Sequence, residues 1–126
     1  MAHWRAVDVR DEGIVVGLLV SQGSFGGDGK QPQVTLRMHV RHEPLIRWLA
    51  DRFPGSRIYG PYHHGNRHYL QWMSRGAALV GELLPILEQH VTPELDAHAH
   101  ERLTAMTESY ADAIARLRGR AAYLSA

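Results

Sequence analysis

Residues 11–22 read DEGIVVGLLVSQ, and the rest of the chain takes its meaning from them. The stretch is apolar nearly all round, so a helix here has to be buried on more than one side. Asp11 and Glu12 suit the positive end of a helix dipole, and Gly23 suits the position just beyond the C-terminus. Gly13, Gly17 and Ser21 recur every four residues and share one face, where another helix can approach closely. The competing reading, that this glycine face packs on the chain's own sheet, stays open on spacing alone.

Working outward, QVTLRMHVR (33–41) alternates with period two. Val34, Leu36, Met38 and Val40 fall on one side, and Gln33, Thr35, Arg37, His39 and Arg41 on the other, which predicts a strand with a dry face and a basic face. The glycine-rich SFGGDGKQP (24–32) precedes it, with Ser24 to Gly27 as the other arm of a hairpin. EPLIRWLADRF (43–53) places Leu45, Ile46, Leu49 and Phe53 at helical spacing, with Pro44 in the first turn. Past Pro54-Gly55, RIYGPY and HYLQWMS read as strands around the turn HHGNR. Arg75-Gly76 then opens AALVGELLPILEQH, a third helix that Pro85 kinks or interrupts. The Trp48 and Trp72 rings sit on the apolar phase of their elements and read as core. The order up to about residue 90 is αββαββα.

A last amphipathic helix starts at Thr92-Pro93 and runs to Gly119, with Ala99, Leu103, Met106, Tyr110, Ala113 and Leu117 stepping by four and three. Three heptads are too few for a free coiled coil, so packing back on the domain is the favoured use. The expected organisation is an N-terminal arm (1–10), a domain (11–91), a packed C-terminal helix (92–119) and a tail (120–126).

With 126 residues, 44% hydrophobic and 21% charged, the chain describes one soluble globular domain and leaves no room for two cores. A domain of this size leaves much of its surface exposed, so an uncovered apolar stripe points to an oligomer. The absence of cysteine excludes disulfides, zinc-thiolate sites, iron–sulfur clusters and a thiol nucleophile, and fits a reducing cytoplasm. No run approaches 18 apolar residues, and MAHWRAVDVRDE lacks the basic start and apolar stretch of a signal peptide. The expectation is a cytoplasmic protein with no membrane partner.

A formal net charge of +1 conceals a segregation. Residues 30–80 carry eight Lys/Arg against two acids, an excess of six positive charges, while the remainder is negative by five. Five of the nine histidines (His39, His42, His63, His64, His68) lie in that basic segment, so mild acidification raises its charge. A polyanionic partner fits this pattern, and a merely solvated basic face fits it equally well.

The segment Val15-Val16-Gly17-Leu18-Leu19-Val20-Ser21-Gln22-Gly23 resembles the nine-residue signature of the LAGLIDADG homing-endonuclease family. TLRMHVR, LIRWLADRFPGSRIYGPY, YLQWMS and LLPIL follow at the spacing such a protein has, so that the resemblance covers residues 12–90. It implies an α+β saddle: a four-stranded antiparallel-type sheet whose concave polar side sits over the major groove of double-stranded DNA, here with an extra C-terminal helix. The signature helices of two such units pack together, so one signature per chain implies a homodimer on a near-palindromic site. The interface would be Gly13, Val16, Gly17, Val20 and Ser21. The DNA-facing set would be Ser24, Lys30, Gln33, Thr35, Arg37, His39, Arg41, Arg57, Tyr59, His63, His64, Arg67, Tyr69, Gln71 and Arg75. Arginines can read guanine edges bidentately, whereas Lys30 and loop residues suit phosphates.

The departures from the family pattern decide the chemistry. Its catalytic acid precedes the last glycine of the motif, and Gln22 stands there; its earlier acidic position is Val20. A neutral amide gives Mg²⁺ no compensating charge, and a homodimer would lack the acid twice. Asp28 lies six residues beyond Gln22, but the intervening strand carries it away from the dimer axis. The reading is therefore a DNA-binding homodimer without catalytic residues, cofactor or metal. An active endonuclease using Mg²⁺ at an unusual site is the alternative. A small-ligand or metal sensor built on His63-His64-Gly65-Asn66-Arg67-His68 or His98-Ala99-His100 is a third. No Ser-His-Asp order, Walker loop or dinucleotide fingerprint appears.

Overall fold

The computed structural model describes residues 7–125, with side chains through Arg120. Helix α1 (Val9–Gln22) starts where the Asp8 carboxylate accepts the Asp11 N–H at 2.8 Å. It passes directly into β1 (Gly23–Gly27), which pairs with β2 (Pro32–His39). A 3₁₀ turn (Val40–His42) leads to α2 (Glu43–Arg52), followed by β3 (Arg57–His64) and β4 (Arg67–Arg75). A continuous helical run then comprises α3 (Gly76–Ala78), a π-turn (Leu79–Leu83) and α4 (Leu84–His90). Helices α5 (Ala97–Ser109) and α6 (Ala111–Ser125) complete the chain. The αββαββα order read from the sequence is the observed order, and the sheet is antiparallel throughout in the order β1-β2-β4-β3.

One face of the sheet makes the core. Phe25, Val34, Leu36, Leu70 and Trp72 meet Val15, Val16 and Leu19 of α1, Ile46 and Leu49 of α2, and the leucines of the 79–87 run. Trp72 is fully buried, edge-on to Phe53, and its indole N–H donates to Ser56 Oγ at 2.8 Å. Trp48 is only half-buried, with the Arg52 guanidinium over its ring. Pro85 has no N–H to give, and the ladder before it widens so that the Leu84 N–H bonds Leu79 O five residues back.

Several expectations shift. Gly23 takes an extended rather than a left-handed conformation (φ −80°), so it begins a strand instead of capping a helix. Its lack of a side chain matters for another reason, since a Cβ there would stand 2.7 Å from Leu19 O. The single C-terminal helix is two, broken at Tyr110. Thr92 caps only a turn through the Leu95 N–H, and Asp96 is the true cap, accepting from the Ala99 N–H. The seam residues Ala99, Leu103, Met106 and Ala113 are buried, so both helices pack back on the domain. Helix α1 begins inside the expected arm and α6 continues through the expected tail, while residues 1–6 and 126 lie outside the described residues.

Candidate functional site

The register of the two central strands fixes which side chains share the second face of the sheet. Gln33 opposes Arg75, Thr35 opposes Met73, Arg37 opposes Gln71 and His39 opposes Tyr69. Side chains at alternate strand positions point the same way, so this face carries them all, with Ser24 added beside Thr35 and Arg57 and Tyr59 beside Met73 and Gln71. All are half-buried or exposed, and the apolar residues between them point into the core.

Tyr69 is the centre of a cationic and aromatic group. The Arg37 and Arg67 guanidinium carbons lie 5.8 and 5.9 Å from its ring centroid, and the His64 and Tyr62 rings 5.9 and 5.4 Å. Arg37 Nε donates to Gln71 Oε1 at 2.8 Å, which aims one edge of its guanidinium along the sheet and leaves the rest exposed. Arginines beside an aromatic ring keep their full charge and most of their N–H donors.

The structure departs from the expected set at four places. β2 ends at His39, so Arg41 belongs to the 3₁₀ turn, where its backbone N–H and Nε both donate to His39 Nδ1. His39 is thereby tied to the strand end, with its ring edge-on to His68. Burial, and then the charges of Arg41, His68 and His42, hold its pKa below the ordinary imidazole value. Between Tyr59 and Tyr62 the pairing shifts by a bulge at Gly60-Pro61, which reverses the alternation. His63 consequently shares a face with its partner His68, a contact through the two Nδ1 atoms, and leaves the group around Tyr69. Tyr62 takes a place there that simple alternation denies it; a Gly-Pro pair inside a strand was the available signal. Finally, Arg75 sits 4.0 Å from the Asp28 carboxylate, so its charge is shared with the β1–β2 turn.

That turn holds Asp28 as a structural group. Its carboxylate accepts the Lys30 and Gln31 N–H groups at 2.8 and 2.7 Å, which, with Arg75, hold its pKa below the ordinary carboxylate value. A five-residue strand separates it from Gln22, roughly 20 Å at about 3.3 Å per residue. Gln22 is the last residue of α1 and exposed. Among the described residues, no three His, Asp or Glu side chains gather as metal ligands would. No helix described is long and apolar enough to cross a membrane.

On α1 the exposed stripe is Gly13, Ile14, Gly17 and Ser21. Val16 does not belong to it: it lies about 60° round the helix from Gly13 and is buried in the core, and Val20 leans half-buried against that core. A Cβ added to Gly13 or Gly17 meets nothing within 4 Å, so the glycine face does not pack on the chain's own sheet.

No family model and no curated protein matches the chain in sequence. Solved structures match it in shape. The group I intron-encoded homing endonuclease I-CeuI, complexed with DNA, superposes with a TM-score of 0.61 at 16% identity, over 82% of this chain and 55% of that one. The homing endonuclease I-TnaI gives 0.58 at 14% identity, over 91% and 77%. The LAGLIDADG homing endonuclease I-SmaMI, bound to cleaved DNA, gives 0.53 at 14%, over 91% and 45%. The chain has the LAGLIDADG homing-endonuclease fold. It spans about half the length of the I-CeuI and I-SmaMI chains. In the homing-endonuclease fold of this chain, the signature-like segment Val15–Gly23 forms the end of α1 and the first residue of β1. The basic, aromatic face of the sheet is the face its helices leave uncovered.

Proposed function

We propose that the protein is a LAGLIDADG-type double-stranded DNA-binding protein that grips the duplex with the uncovered sheet face and does not cleave it. The observation that carries this is the group around Tyr69: Arg37 and Arg67 beside an aromatic ring, on the open side of a basic sheet. Arginines fixed on a β-surface meet phosphates and guanine edges, and the aromatic rings give them defined planes. Ser24, Lys30, Gln33, Thr35, Arg57, Tyr59, His64 and Gln71 extend the contact along the strands. The neighbours bound to DNA support the assignment by their shape.

The functional unit on this reading is a homodimer joined through α1, and its site is near-palindromic. Two glycines inside a helix cost about 1 kcal/mol each relative to alanine. Among the described residues nothing occupies the space they leave, so a closely approaching partner helix accounts for them. A setting in a reducing cytoplasm agrees with a chain free of cysteine.

The residues at the end of α1 do not fit the divalent metal that nucleases of this fold use. Gln22 offers a neutral oxygen, Val20 none, and Asp28 belongs to a distant turn. Selection of bound sites from random duplexes, followed by incubation of the bound site with Mg²⁺ or Mn²⁺, tests the whole reading. Binding without cutting is expected. Chelator-sensitive cleavage by the homodimer would establish the active-endonuclease alternative, and no binding to any duplex at low salt would end the nucleic-acid reading.

A further inference from the structure

Tyr110 interrupts a stretch with no glycine or proline to break it: residues 105–115 read AMTESYADAIA. Its backbone leaves helical geometry (φ −115°, ψ 27°), although its N–H still reaches Met106 O four residues back and its carbonyl accepts the Ile114 N–H. The side chain reaches the β1–β2 turn, whose sequence 26–30 is GGDGK. The ring lies where any side chain on Gly27 would be, and the hydroxyl accepts the Gly29 N–H at 2.9 Å, from 81 residues away.

Three glycines in five residues make that turn conformationally permissive, and it hangs from the outermost strand of the sheet. Asp28 orders the turn internally through Lys30 and Gln31. Those bonds close the turn, and toward the sheet Asp28 has the Arg75 guanidinium at 4.0 Å, an exposed pair that holds the turn's direction only weakly. A polar cleft of about 320 Å³ lies between the turn and the start of α6, with Lys30 on one wall and Arg116 on the other. Tyr110 crosses from one side of it to the other.

We propose that Tyr110 is a positioning residue that clamps the glycine-rich β1–β2 turn from the α5–α6 junction, holding Lys30 ready for a phosphate at the outer end of a bound duplex. The inference rests on the DNA-binding reading above. It gives the C-terminal helices a part in recognition without contact to the duplex. Ordering the turn in the free protein removes an entropy cost that would otherwise fall on binding.

The test is Tyr110→Phe in the full chain, which keeps the ring and removes the hydroxyl. Amide exchange of Gly29 without DNA should accelerate at least tenfold, while that of Lys30, bonded to Asp28, changes little and the melting temperature falls by no more than a few degrees. Affinity for the selected duplex should fall about fivefold, the size of one net hydrogen bond. Footprint protection should be lost at the outer base pairs and kept at the centre. In a Lys30→Ala background the same substitution should cost almost nothing further, because the residue it positions is gone. Unchanged exchange at Gly29 overturns the clamp. Faster exchange with an unchanged footprint, or an equal loss in the Lys30→Ala background, overturns its role in recognition. A parent protein that binds no duplex removes the underlying reading before any variant is made.

Discussion

Arg37 Nε and Gln71 Oε1 meet at 2.8 Å across directly opposed positions of β2 and β4, in the middle of the uncovered sheet face. The bond occupies the Nε–H of an exposed side chain and leaves the Nη1–Nη2 edge of the guanidinium outside that contact. An arginine presented in this way is a fork aimed outward, and the fork suits a phosphate or a guanine edge.

Arg37→Ala should therefore weaken duplex binding about tenfold or more. If Arg37 meets a phosphate, the slope of log K against log salt falls by about 0.9. If it reads a base, the slope stays and discrimination at one position drops by about 1–3 kcal/mol. Gln71→Ala, which frees the fork without removing it, should cost less. Titrations of the three proteins at several salt concentrations check this, and equal affinities would show that the face does not carry the duplex.

Gly17 separates stability of the protomer from assembly. Gly17→Ala places a Cβ in open space, and the gain in helix propensity should stabilise the protomer by about 1 kcal/mol. The same methyl group should weaken the dimer, and Gly17→Leu should abolish it by holding the helices apart, at about 1–3 kcal/mol or more per subunit. Sedimentation and thermal melting at low concentration read the two effects independently. A dimer indifferent to leucine, or a monomeric parent, would place assembly elsewhere or nowhere.

Glu82 supplies a pH dependence with a definite sign. Its half-buried carboxylate accepts the Gly55 N–H, yet burial dominates and pushes its pKa above the ordinary 4.5. The folded state thus favours the protonated acid: its contribution to stability is complete below pH 4.5 and is lost as pH rises through the higher folded value. Glu82→Gln keeps an acceptor for Gly55 and removes the charge, so it should melt above the parent at pH 7, with the gap closing below pH 4.5. Parallel melting curves across that range would contradict the assignment.

What the sequence disclosed follows from which signals are periodic. Alternation in Val34–Met38 and in Leu70–Ser74 gave the two central strands and their faces, because a half-buried strand writes its exposure every second residue. The same rule fails in β3, where one extra residue at Gly60-Pro61 reverses the phase, bringing Tyr62 opposite Tyr69 and His63 opposite His68, and no count of apolar residues registers it. Arg41 was lost for a similar reason: the strand ended where His39 turned to accept its N–H, a local bond rather than a pattern. On α1 an all-apolar helix has no contrast by which to choose a face, so Val16 could be assigned to the interface until its burial was known. The break at Tyr110 has no local signal, and the contact made there, to Gly29, is distant in the chain.

Gln22 offers the last prediction, and it separates a lost reaction from a lost site. The residue ends α1 at an exposed position, next to the stripe through which two protomers would meet, so a dimer would bring two copies toward a common axis. An amide there leaves a divalent cation without an anionic protein ligand, and the unmodified protein should bind duplex without retaining Mg²⁺ or Mn²⁺. Gln22→Asp restores one carboxylate per subunit, two per dimer. Calorimetry of the duplex complex with Mn²⁺ should then show a binding event that the parent lacks and that Gln22→Asn also lacks. Cleavage asks more, because ordered water and strand geometry must coincide with the metal. The metal titration is the sharper readout. Equal Mn²⁺ binding by parent and variant would show that Gln22 is not what withholds the ion, and chelator-sensitive cutting by the parent would show that nothing does.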